Sequence, residues 1–123
     1  MFEALENEYR DTVSRMERLF ENVTDDTAVR QPSMNRWSML DCLGHLTSIG
    51  SVSETCRGFS HVQSEMLRLL GRMADQNTPR TWMPSPIIPA IILPLPGWFG
   101  MVAAHERRHL WQAEQVKQAV LQE

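Results

Sequence analysis

The chain has 123 residues, enough for one domain with a single hydrophobic core and too few for two. Its 12 lysines and arginines stand against 15 aspartates and glutamates, and no basic cluster marks a nucleic-acid surface. We therefore expect one domain over residues 1–123 and no nucleic-acid partner.

The cysteines, the N-terminus and the longest apolar run predict the compartment. Cys42 and Cys56 are the only cysteines and both lie in helical patterns, which favours reduced thiols over a disulfide framework. The first ten residues are acidic and amphipathic, unlike a secretory signal. Prolines interrupt the apolar run 87–104, so we expect a buried loop leading into a helix rather than a membrane span. These features predict a cytoplasmic protein with no membrane partner.

Apolar residues at spacings of three and four predict the first two helices. The first helix extends from Phe2 to Val23. A polar connection continues through Pro32, after which Ser38 and Asp41 have the spacing of a capping box and start a second helix. The apolar positions of the second helix place His45 at the edge of its inner face; they are Met39, Cys42, Leu46 and Ile49.

Two further helices complete the predicted bundle. The third has an apolar stripe from Phe59 to Met73 and ends at the polar residues that begin with Asp75. After a proline-rich connection the last helix begins near Trp98. Its inner stripe contains two histidines; the stripe comprises Trp98, Val102, His105, His109, Gln112, Val116 and Val120.

His105 and His109 form a candidate metal site with His45. Residues four apart share one face of a helix, so two imidazoles can bind one ion while a third comes from a neighbouring helix. The alternative is a pair of core imidazoles, but two buried together leave donors and acceptors that an apolar core cannot easily satisfy. His61 has no histidine partner at helical spacing, and we leave it out of the site.

The string from His105 to His109 also matches the zinc-peptidase signature His-Glu-x-x-His, with Glu106 as the base. A third ligand would have to lie downstream, where only 14 residues remain after His109. No strand signal offers an edge for a peptide substrate. We therefore keep a zinc peptidase as a lesser alternative and expect Glu106 to be a solvated charge beside Arg107 and Arg108.

Two segments together form a recognisable pattern. The first reads Trp37-Ser38-Met39-Leu40 with His45-Leu46 shortly after it, and the second extends from Ala104 to Glu114 and contains His105 and His109. Together they resemble the DinB-like (YfiT-like) superfamily of metal-binding four-helix bundles, and the prolines ahead of the last helix resemble one of its branches. The similarity covers the first helix loosely and both histidine segments closely.

The resemblance implies an up-down-down-up bundle in which His45, His105 and His109 bind a divalent metal, with zinc or nickel as first candidates. It further implies a small-molecule substrate such as a thiol. Three neutral imidazoles leave open positions at which water or a thiol becomes a nucleophile near neutral pH. Gln112 and Cys42 are candidates to support the ligands, although a small buried apolar role suits Cys42 better. The sequence assigns no catalytic residue.

The connection between the second and third helices is shorter than the resemblance implies. Seven residues separate Gly50 from Gly58, and they extend at most about 25 Å. Residues 37–74 are therefore compatible with one long helix. We expect a homodimer, with exchange of helices between two copies as its simplest form.

Two classes of function remain open at this stage. One is a metal-dependent enzyme of the thiol transferase or hydrolase type. The other is a non-catalytic helical dimer module in which a metal, or the histidines alone, stabilises the assembly.

Overall fold

The computed structural model describes residues 2–44, 51–75, 82–84 and 92–122. The predicted all-α class is confirmed, because long helices form the core and, within these ranges, only two three-residue strands accompany them. In chain order the elements are α1 (Glu3–Phe20), α2 (Asp25–Ala28), α3 (Met39–Gly44), α4 (Val52–Asp75), β1 (Trp82–Pro84), β2 (Ile92–Pro94) and α5 (Leu95–Leu121).

The helix α1 follows its predicted periodicity. Its inner face buries Tyr9, Met16 and Leu19, while its acidic first turn complements the positive end of the helix dipole. The chain leaves the helix at Glu21, and Asn22 has a positive φ of 59° that allows the backbone to turn toward α2. The first predicted helix is therefore confirmed.

The predicted capping box at the start of α3 is also confirmed. The backbone N–H of Asp41 donates to Ser38 Oγ at 3.1 Å, and the backbone N–H of Ser38 donates to Asp41 Oδ2 at 2.9 Å. Each side chain therefore satisfies a backbone donor that the first helical turn leaves open. Leu40 and Leu43 behind this cap are fully buried, so the cap directs α3 into the core.

We expect the substitution Ser38→Ala to lower the free energy of unfolding by about 1 kcal/mol, because it removes one partner of the capping box. Urea denaturation measures the change. Ser64→Ala is the matched control, since Ser64 is exposed in the middle of α4. Equal losses in the two variants would contradict a specific role for the Ser38 cap.

The structure corrects the hypothesis of one helix over residues 37–74. Ser51 lies outside α4 and caps its start: the backbone N–H of Glu54 donates to Ser51 Oγ at 3.1 Å. The helices α3 and α4 are therefore separate, and Ser-x-x-Glu at this position is a second N-terminal capping signal. Residues 45–50, which include His45 and the rest of the predicted second helix, lie outside the described residues.

The helix α3 packs against the first turns of α4 within one chain. Leu40 and Leu43 belong to the same buried cluster as Phe59, with Val52 and Cys56 packed against it. The described parts of these helices thus share a core without a second copy. The exchanged dimer stays a prediction.

Two expectations for the proline-rich region need correction. A strand was not expected, yet β1 and β2 pair antiparallel, with Met83 opposite Leu93. The helix α5 begins at Leu95 rather than near Trp98. Pro96 lies in its first turn, where a missing N–H removes no helical hydrogen bond. The apolar run is therefore part strand and part helix in its described portion.

The helices α1 and α5 run parallel. Arg15 binds Glu114 across a separation of 99 residues, and Lys117 donates to the Leu19 carbonyl across 98 residues. Because the difference in residue number between contacting residues stays nearly constant along the two helices, the helices must run in the same direction. The helix α4 runs the opposite way, since its first turns pack with the end of α1 and its last turns pack with the beginning of α1.

Candidate metal centre and adjacent groove

His105 and His109 lie in contact on α5. Their Nε2 atoms are 2.9 Å apart, and their rings meet edge to face with centroids 4.3 Å apart. The four-residue helical spacing brings the side chains together, as the sequence predicts. The two imidazoles therefore direct the same ring nitrogen toward a common point.

Gln112 fixes the orientation and tautomer of His109. Its carboxamide oxygen Oε1 lies 3.0 Å from Nδ1 of His109. A carboxamide oxygen only accepts, so Nδ1 is the donor and Nε2 of a neutral His109 carries a lone pair. In the metal-free pair Nε2–H of His105 then donates to that lone pair. Gln112 therefore contacts a predicted metal ligand, which is the supporting role that the sequence suggests for it.

The geometry of this pair fits a shared cation. Two imidazole nitrogens bound to one tetrahedral zinc are about 3.4 Å apart, given zinc–nitrogen bonds of about 2.0–2.1 Å. The observed separation of 2.9 Å lies within half an ångström of that value. A small rotation of the side chains would suffice, with the proton between the two nitrogens released.

The third predicted ligand, His45, lies outside the described residues. Within 2–44, 51–75, 82–84 and 92–122, no group of three or more histidine, cysteine, aspartate or glutamate side chains is arranged to hold a metal. The structure brings two of the three predicted ligands together and leaves the third open.

The two histidines differ in exposure. His109 is 8% exposed, and its ring stacks on Trp37 with centroids 6.5 Å apart and an angle of 20° between the planes. His105 is exposed, which corrects its predicted place on the inner stripe of the helix. The pair therefore lies at the border between core and solvent, with the imidazole of His109 held by packing and that of His105 accessible.

The inner face of α5 is rotated relative to the predicted stripe. Its buried residues are Phe99, Ala103, Glu106, Leu110, Ala113 and Val120, and His109 of the predicted stripe is buried beside them. This set has the same three-and-four spacing as the predicted one, but two alanines and a glutamate weaken its hydrophobic signal. Small side chains allow close approach of neighbouring helices, and this packing sets the rotation of α5.

Glu106 is a correction to the sequence analysis. It was expected in solvent, yet it is 2% exposed and faces the interior of the bundle. Burial raises the pKa of Glu106 to about 7, and proximity to the amide of Gln63 only partly opposes this. Its Oε2 atom and both polar side-chain atoms of Gln63 make no hydrogen bond among the described residues. The spacing of Glu106 from Ala103 and Leu110 was the only signal in the sequence for this position.

Tyr9 shares this buried polar region. Burial raises the pKa of its phenol, and the negative charges of Glu106 and Glu8 add to the effect. The Tyr9 hydroxyl donates to the Phe99 carbonyl at 2.6 Å. Tyr9 thus connects α1 to the start of α5 beside the buried carboxyl.

Cys42 has the apolar role expected for it. It is 2% exposed and belongs to the main core cluster. Burial raises the pKa of the Cys42 thiol to about 11, and the nearby Asp41 carboxylate contributes to the increase. The neutral thiol is therefore the dominant form at neutral pH, and Cys42 is not an activated nucleophile.

A groove of about 570 Å³ opens beside the histidine pair. Trp37 and Gln112, which both contact His109, contribute to its wall. The described residues that line it are Pro32, Asn35, Arg36, Trp37, Cys42, Trp111, Gln112, Gln115, Val116 and Ala119. Its volume lies in the range of small-molecule sites. Trp37 precedes α3 and Trp111 lies on α5, so only the packing of these two parts of the chain brings both indoles to one groove.

Comparisons with protein families, characterised proteins and solved structures give no match for this chain. The DinB-like resemblance therefore stays a prediction. Among the described segments, no helix has the length and apolar character needed to cross a membrane.

Proposed function

We propose that the chain is a divalent-metal-dependent enzyme of the DinB-like type, with His45, His105 and His109 as its ligands. The observation that carries the proposal is the 2.9 Å separation of the Nε2 atoms of His105 and His109. The Gln112 contact supports it, because a ligating histidine commonly donates its other ring nitrogen to a neighbouring acceptor. Zinc or nickel suits this donor set.

The helix directions support the same family assignment. In an up-down-down-up bundle the first and last long helices are parallel, and the third runs opposite to them. The Arg15–Glu114 ion pair and the Lys117–Leu19 hydrogen bond, which show that α1 and α5 are parallel, agree with this order, as does the reversed packing of α4. The homodimer is part of the proposal and rests on the sequence alone, in which only seven residues separate Gly50 from Gly58.

A divalent metal held by these histidines would supply a Lewis acid that lowers the pKa of a bound water or small thiol. His109 contacts Trp37 and Gln112, which would hold its imidazole in place, whereas the exposed side chain of His105 would leave the site accessible from solvent. The groove beside them provides volume for a small molecule. The residues therefore favour thiol transfer or hydrolysis of a small substrate.

The position of Glu106 weighs against the zinc-peptidase alternative. A peptidase glutamate must reach the metal-bound water. Glu106 faces the buried region beside Gln63 and Tyr9, whereas His109 faces Trp37. The spacing itself is common to all His-Glu-x-x-His helices, so it is the burial of Glu106 inside the bundle that argues against this role.

We expect untagged protein to bind close to one divalent metal per chain, and His105→Ala to reduce that content at least tenfold. Plasma mass spectrometry after loading with zinc or nickel and gel filtration measures it. His105 is the first choice because its exposed side chain is replaceable without loss of folding. His61→Ala is the matched control, since His61 is exposed on α4.

His45→Ala and His109→Ala extend the same test to the other ligands. Retention of metal in His105→Ala, or equal loss in His61→Ala, would contradict the proposed site. The loaded chain is then assayed for conjugation of glutathione with 1-chloro-2,4-dinitrobenzene and for ester hydrolysis. Metal binding without turnover, combined with a large loss of thermal stability on chelation, would instead favour the non-catalytic dimer module.

A further inference from the structure

The groove beside the histidine pair has a distinctive set of side chains. Trp37 is 52% exposed and Trp111 is 51% exposed, and both line the groove. Val116, Ala119 and the buried Cys42 add apolar surface to the same groove. Half-exposed indoles around an apolar surface are suited to contact with a planar ring, because such contacts bury area and adopt favourable stacked or edge-on geometries.

One charge accompanies these aromatic residues. Arg36 is the only charged side chain among the described lining residues, and no carboxylate belongs to that set. The ion pairs of the described segments do not include Arg36, whereas Arg15, Arg68 and Arg107 each bind a glutamate. The guanidinium is therefore available to bind a carboxylate or sulfonate with two parallel hydrogen bonds.

A tight turn holds Arg36 beside the groove. The backbone N–H of Arg36 donates to the Ser33 carbonyl at 3.2 Å, and Asn35 has a positive φ of 68°. Asparagine is among the residues that adopt this conformation with the least strain. The turn ends immediately before Trp37 and the Ser38 cap. Arg36 and Trp37 therefore directly precede the capped first turn of α3, which limits their movement.

We propose that this groove binds an aromatic anion, with the ring between Trp37 and Trp111 and the acidic group on the Arg36 guanidinium. This binding depends only on the groove and its side chains and needs no metal, so it goes beyond the proposed activity. A molecule bound there lies beside His109, because Trp37 and Gln112 contact both.

The probe is 2-naphthoate, measured by calorimetry in the presence of EDTA so that its carboxylate cannot bind to a metal. We expect a dissociation constant of about 10–100 µM, in keeping with the affinity that a ligand of this size reaches. The neutral 2-naphthamide should bind about tenfold more weakly, and cyclohexanecarboxylate, which lacks the aromatic ring, should also bind about tenfold more weakly.

Three variants test the two contacts. Arg36→Gln should weaken 2-naphthoate about tenfold and leave 2-naphthamide unchanged, whereas Trp111→Ala should weaken both. Arg72→Gln removes an exposed positive charge on α4 and should change neither. Because Arg36 and Trp111 are exposed, circular dichroism is expected to show native folding in all three variants.

Absence of 2-naphthoate binding at millimolar concentration would overturn the proposal. Equal affinity for the acid and the amide would do the same, as would equal weakening by Arg36→Gln and Arg72→Gln. His105→Ala should retain 2-naphthoate binding in EDTA, so failure of the metal site and failure of the groove are distinguishable.

Discussion

We expect the free energy of unfolding of the metal-free protein to decrease by about 3 kcal/mol through the Glu106 carboxyl as the pH rises from about 5 to about 8. The folded chain holds the Glu106 proton up to about pH 7, whereas the unfolded chain releases it near pH 4.5. The folded state therefore binds more protons between these values, and its stability falls as the pH rises through this window. Above it both states are ionised and the contribution of Glu106 is constant.

Glu106→Gln tests this expectation because glutamine is a neutral substitute for the protonated carboxyl. Urea denaturation with EDTA is measured from pH 5 to pH 8 for both proteins, and the difference between them isolates Glu106 from the histidines. Gln63 and Tyr9, which lie near Glu106, do not titrate in this range. We expect the variant to be about equally stable at pH 5 and more stable at pH 8.

Glu21→Gln is the matched control, since Glu21 is exposed just beyond α1. It should leave the pH dependence unchanged. Parallel pH profiles for the wild type and Glu106→Gln would show that the carboxyl is already ionised in the folded protein at pH 5.

We expect Tyr9→Ala to lower the free energy of unfolding by about 3–5 kcal/mol, a large part of the stability of a domain of this size. Tyr9 is fully buried in the cluster of Leu70 and Met73. Its ring meets Phe99 edge-on with centroids 6.4 Å apart. Truncation would remove these contacts and leave a cavity between α1, α4 and α5.

Tyr9→Phe separates the ring from the hydroxyl. It keeps the packing and removes the hydrogen bond to the Phe99 carbonyl, so we expect a loss of about 1 kcal/mol. Urea denaturation at one pH compares the three proteins. If the two variants lost the same amount, the hydroxyl and not the ring would be the main contribution.

Local sequence signals predicted several parts of the structure. The periodicity from Phe2 to Val23 predicted α1, and Ser38 with Asp41 predicted the start of α3 through their reciprocal hydrogen bonds. The polar residues from Asp75 onward predicted the end of α4. These features depend on neighbours within one or two turns, so the sequence is sufficient to identify them.

The short ribbon and the break before α4 were not predicted. The strands are only three residues long. Their stability comes from pairing with each other and not from the strand propensity of either segment. Ser51 and Glu54 form an N-terminal signal that was read as the interior of a continuous helix. Helix propensity alone does not reveal this break, because the capping residue Ser51 determines where α4 begins.

By itself the sequence determined that His105 and His109 would meet, because a four-residue spacing on a helix fixes their contact. Only the tertiary structure decided which side of α5 faces the core. The packing of Ala103, Leu110 and Ala113 turns Glu106 inward and leaves His105 exposed, because close helix contact depends on shape across the bundle. The tertiary structure also decided that Trp37 and Trp111 line one groove, since residues this far apart in sequence become neighbours only when separate parts of the chain pack together.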